Sequence, residues 1–124
     1  MQVTRLVPRD AARLDGGVVR DMLRVYGPES AEEIVYAALE DLLRHTARME
    51  EAWQACDFTA LIARVVQVAE IADRIGLRGV GRVAGDVAIC AGQGDDTALA
   101  AVLTRLLRQV NTACDQIAVL GPTA

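Results

Sequence analysis

The sequence predicts an all-α protein: an antiparallel four-helix bundle with a short helix ahead of it. Three observations carry that expectation. Apolar residues recur at three- and four-residue steps through most of the chain, Asp or Ser stands where the longer stretches begin, and Gly stands where several of them end. With 124 residues there is room for one domain around one core. Aromatic residues make up only 3% of the chain, against abundant Ala, Val and Leu, a mixture that favours packed helices over a β-sandwich.

Residues 1–15 mix Pro8 with charges and show no sustained period, so they read as an irregular arm pinned by Val3, Leu6 and Val7. Gly16 and Gly17 end the arm. A short helix follows at 18–26, with Val19, Met22, Leu23 and Tyr26 at helical spacing, and Gly27-Pro28 interrupts it. Ser30 and Glu33 have the form of a capping box, in which each side chain satisfies a backbone N–H left open at a helix start. A long helix is therefore expected from Ser30 to about Ala55. Ile34, Val35, Ala38, Leu42, Met49 and Trp53 share its inner side, and Glu40 with Arg44 forms an i,i+4 pair outside.

Asp57 is the N-cap expected for a helix over 58–75, with Leu61, Val65, Val68, Ala72 and Ile75 inward and Gly76 as its stop. The next helix, over 78–91, turns Val80, Val83, Ala84, Val87 and Ala91 to one side. Gly81, Gly85 and Ala88 make a second, low-relief strip. Two interior glycines cost roughly 1 kcal/mol each against alanine, a cost that close approach of a neighbouring backbone would offset. Asp95 or Asp96 caps the last helix, whose stripe runs through Leu99, Val102, Leu103, Leu106, Val110, Cys114 and Ile117. The domain thus spans 16–120, with a tail at 121–124.

Charge and cysteine usage exclude several functions. The net charge of −4 opposes binding to nucleic acid or an anionic membrane surface. All 13 basic residues are arginine, which removes lysine chemistry. Cys56, Cys90 and Cys114 are odd in number and widely spaced within apolar patterns, and read as buried, inert thiols rather than disulfide or zinc partners. No signal peptide and no membrane-length apolar run is apparent, so the expected location is cytoplasmic.

From about Val18 to Ile117, some four-fifths of the chain, the helix order, the Asp57 junction, the Ile75-Gly76-Leu77 turn and the Gly92–Asp96 junction resemble a histidine phosphotransfer (HPt) domain. In that family the phosphorylated histidine stands ten residues before the glycine that ends its helix, within a His-x-Leu-Lys-Gly-Ser-Ala motif. Val66 occupies that position here. The family's leucine and alanine fall on Val68 and Ala72, both suited to a core, whereas its lysine, glycine and serine fall on Ala69, Glu70 and Ile71. The helical wheel sets Val66 about 100° from Val65, at the wet margin of the helix. Valine has neither a lone pair nor a proton to transfer, so no catalytic residue remains and the chain is not expected to be an enzyme.

The resemblance implies a non-catalytic adaptor or regulator in a two-component phosphorelay, docking on a response-regulator receiver domain or a histidine kinase. Its binding face would comprise Ile62, Val66, Gln67, Glu70, Asp73 and Arg74. The alternative is a helical bundle that forms a homodimer or binds an unrelated protein. Rival sites are weaker. His45, the sole histidine, falls at the edge of a buried face and reads as a half-buried ring held by an acceptor. The acidic pairs Glu32-Glu33, Glu40-Asp41 and Glu50-Glu51 diverge by about 100° within each pair, and no Glu-x-x-His motif accompanies them, so neither a metal nor a cofactor is expected. Gly79-Val80-Gly81 and Gly92-Gln93-Gly94 lack the lysine and the preceding strand of a phosphate loop.

Overall fold

A computed structural model describes residues 14–120. Within them the chain is helical with no strand, in the order α1 (Gly16–Gln54), α2 (Phe58–Ile75), α3 (Arg78–Gln93) and α4 (Asp96–Leu120). No helix among the described residues is long and apolar enough to cross a membrane. The arm at 1–13, with Val3, Leu6 and Val7, and the tail at 121–124 lie outside the described residues.

The first helix starts two residues earlier than expected because Asp15 caps it. Its Oδ1 accepts from the backbone N–H groups of Gly17 at 2.8 Å and Val18 at 3.3 Å, two of the donors a helix start leaves open. The expected interruption falls at Gly27, whose φ of 83° and ψ of 165° suit glycine alone. Helix resumes at once, so α1 consists of two segments, 16–26 and 28–54. Pro28 opens the second segment, the position where its missing N–H costs nothing. Ser30 thus lies inside the helix and does not cap it, which corrects the start expected from the Ser30 and Glu33 pattern.

The end of α1 differs from the other helix ends. Cys56 donates its N–H to Trp53 at 3.1 Å and Asp57 donates to Ala52 at 2.9 Å, the paired bonds of a Schellman closure, with Cys56 in the left-handed region at φ 55°. Glycine is usual there. The same closure ends α2 with Gly76, where Leu77 donates to Ala72 at 2.8 Å. Asp57 caps α2 by accepting from Ala60 at 3.1 Å, and Asp95, rather than Asp96, caps α4 by accepting from Ala98 at 3.0 Å.

Each helix packs on the next in sequence, and α1 also meets α4, so the four surround one core. Leu42, Met49, Leu61, Val65, Ile75, Leu77, Val80, Val87, Leu99, Leu106 and Val110 are almost wholly buried there. Full burial of one such side chain stabilises the fold by about 1.5–3 kcal/mol before conformational entropy is counted. Leu77 sits in the turn rather than a helix, yet it is the residue that a Schellman closure turns inward. Two polar atoms inside the core, Thr46 Oγ1 and Gln109 Oε1, lack a partner, and each such group costs stability.

The short first segment is anchored at its start. Asp15 donates its N–H to the Gly76 carbonyl at 2.8 Å and accepts from Arg78 Nε at 2.5 Å, tying α1 to the turn between α2 and α3. Of the four apolar residues expected to pack, Met22 is buried and Val19 half-buried, whereas Leu23 and Tyr26 are exposed.

Candidate functional site

The candidate face lies on the outer side of α2. The helix turns Leu61, Val65, Val68, Ile71, Ala72 and Ile75 into the core, and this leaves the intervening positions outside. Val66 is 44% exposed, Ile62 is half-buried, and Gln67, Glu70, Asp73 and Arg74 are exposed. An exposed valine ringed by charged and amide side chains is a small apolar centre with a polar rim. Ile71 is buried and unable to contribute to that surface.

Asp73 reaches the seam with α3. A Cβ added to Gly81 would lie 2.8 Å from Asp73 Oδ1, so the absence of a side chain at Gly81 is what admits this carboxylate. Gly85 behaves differently: it is exposed, and a Cβ there would meet nothing within 4 Å. The expected backbone approach along Gly81, Gly85 and Ala88 is therefore corrected to one side-chain contact at Gly81. Ile89, one turn beyond Gly85, is 59% exposed.

His45 is half-buried on α1, as its wheel position implies, but its neighbour is a donor. Arg64 Nη1 of α2 lies 3.4 Å from His45 Nδ1, and since arginine only donates, Nδ1 accepts and the proton of the neutral ring belongs on Nε2. Burial pushes the His45 pKa below its ordinary value, Arg64 and Arg44 push it further, Asp41 opposes them, and Arg48 adds a smaller push. A depressed histidine favours the folded state above its unfolded pKa, and that contribution is lost as pH falls through the folded one. Urea unfolding on either side of this window will show a greater loss of stability on acidification in the native chain than in His45→Gln.

The acidic pairs serve the surface. Glu32, Glu33, Glu40, Glu50 and Glu51 are exposed, and Arg44 bonds Asp41 rather than the expected Glu40. Among the described residues no three His, Cys, Asp or Glu side chains converge as a metal site would require. Cysteine placement differs from expectation: Cys56 is exposed, in the junction between α1 and α2 with φ 55°, while Cys90 and Cys114 are half-buried. Burial, and after it the nearby Asp115 carboxylate, pushes the Cys114 thiol above its ordinary pKa, which favours the protonated form.

The cap at Asp15 carries a further charge contact absent from the sequence reading. The bond from Arg78, followed by those from Val18 and Gly17, holds the Asp15 carboxyl below the ordinary carboxylate range. The signal was an aspartate directly before a glycine pair, a usual cap position; the arginine 63 residues away had no local signature. Comparison of the chain with family models, with curated proteins and with solved structures returns no match.

Proposed function

We propose that this chain is a non-catalytic HPt-like adaptor, an antiparallel bundle that docks on a receiver domain or a histidine kinase through α2 without relaying phosphate. The observation that carries the reading is Val66, exposed at 44% at the position the HPt pattern reserves for its histidine. The core positions of that pattern, Val68 and Ala72, are fully buried, which supports the register. Retaining the exposed site while replacing the nucleophile with an alkyl group leaves a surface suited to recognition. Glu70 and Asp73 beside it disfavour a phosphorylated aspartate by like charge, so the preferred receiver is the unphosphorylated form.

Titration calorimetry with receiver and kinase domains from the same cell tests this reading. One of them is expected to bind, and Val66→Asp is expected to weaken that binding about tenfold or more, the effect of losing roughly 1.4 kcal/mol at an interface centre. Absence of any such partner, or binding indifferent to Val66→Asp, would overturn it. A second reading, homodimerisation, is favoured by Ile89 and the open surface at Gly85. Light scattering separates the two: a dimer lost in Ile89→Asp but retained in Val66→Asp would favour the second.

A further inference from the structure

The chain's only tryptophan and only phenylalanine meet at the junction between α1 and α2. The ring centroids of Trp53 and Phe58 are 6.3 Å apart and their planes stand at 69°, so the two rings form a corner rather than a stack. Backbone hydrogen bonds fix that corner. Cys56 donates to the Trp53 carbonyl and Asp57 to that of Ala52, while Asp57 caps the helix that Phe58 begins. Trp53 is half-buried against the core, but Phe58 stands exposed. Core packing therefore does not account for an aromatic ring at position 58.

The start of α4 closes the corner into a pocket. Trp53, Cys56, Phe58, Asp96, Thr97 and Ala100 line it, and its cavity volume of about 470 Å³ lies in the range that holds a small molecule. The charge around it is one-sided. Within four residues of those six positions the sequence places Glu50, Glu51, Asp57, Asp95 and Asp96, and no arginine or histidine. Asp57 and Asp95 are engaged in capping α2 and α4. Asp96 has no such task, and it is exposed at the pocket wall. The N-termini of α2 and α4 carry a partial positive charge of about 0.5 each, which the two capping carboxylates alone outweigh. Aromatic ring faces with surplus negative charge beside them favour a cation. A metal ion does not fit, since it needs several oxygen, nitrogen or sulfur ligands and no three such side chains converge among the described residues.

We propose that this pocket binds a small organic cation with a methylated ammonium head, seated against the faces of Trp53 and Phe58 with Asp96 as its counter-ion. A primary ammonium is compact and strongly hydrated, and it would lose more water on entering than a methylated one, whose methyl groups suit the apolar part of the wall. None of the residues of the α2 docking face lines the pocket, so this binding stands apart from the adaptor reading.

Trp53, as the sole tryptophan, reports on its own site. Titration of the full chain with choline chloride, against sodium chloride at equal ionic strength, is expected to change Trp53 fluorescence saturably in the millimolar range. The neutral carbon isostere of choline has the same shape without the charge and should bind at least about threefold more weakly. Phe58→Leu and Asp96→Asn alter exposed positions, and circular dichroism will show that each variant remains helical. Each should weaken choline binding by about threefold to fivefold. No saturable response to choline, equal binding of the isostere, or indifference to both substitutions would overturn the proposal. Co-sedimentation of the chain with phosphatidylcholine vesicles would overturn it in favour of a membrane surface as the source of the head group.

Discussion

Gly76→Ala will destabilise the fold by about 3 kcal/mol, roughly 1 from forcing a side chain into the left-handed region and about 2 from overpacking. The residue has φ 83°, and its missing Cβ would lie 3.0 Å from Val18 Cβ and 3.1 Å from the Asp15 backbone nitrogen. Those neighbours cannot retreat cheaply, since Asp15 N–H bonds the Gly76 carbonyl itself. Gly94→Ala is the control: φ is 73°, yet nothing lies within 4 Å of the added Cβ, so only the backbone strain of about 1 kcal/mol is expected. Urea unfolding followed by circular dichroism and Trp53 fluorescence gives both values. Equal losses would mean that the start of α1 does not press on the turn between α2 and α3.

Leu106→Ala will cost about 3–4 kcal/mol, the range for a leucine removed from a core that cannot collapse around the gap. Leu106 is wholly buried on α4, within a cluster drawn from all four helices. A domain is stable by about 5–15 kcal/mol, so this one change removes a large share of the total. Leu107→Ala, at the adjacent half-buried position, should cost clearly less in the same unfolding experiment. A similar loss at both positions would show that α4 is not seated with Leu106 inward.

Helix identity was legible because caps and stops are local chemistry. Asp57 and Gly76 bound α2 at the residues expected, since an aspartate oxygen within reach of its own third N–H and a glycine free to adopt positive φ act without help from the rest of the fold. The exposure of Val66 was legible for a related reason: helical periodicity alone carries it away from the Val65 side. The same logic failed at Ser30, because two start signals stood close together and the Gly27-Pro28 break acted first.

Long-range partners were not legible. Arg64 beside His45, Arg78 on Asp15 and Asp73 over Gly81 join different elements, and no residue spacing encodes them. Nor did the sequence reveal that Cys56 would be exposed, since a Schellman closure normally recruits glycine and here uses a cysteine in left-handed strain. The buried Thr46 hydroxyl and Gln109 carbonyl were missed because both types are ordinarily solvated.

By itself, then, the sequence determined that this chain is helical, where three of its four described helices begin, and that position 66 carries no nucleophile. Those properties follow from backbone hydrogen bonding, side-chain period and functional-group chemistry, all of which act within a few residues. The tertiary structure alone decided which small residues face a neighbour and which face open space, how the first segment of α1 is held, and where an aromatic-walled pocket remains. These depend on distances between helices far apart in sequence, set by how their side chains fill one shared core.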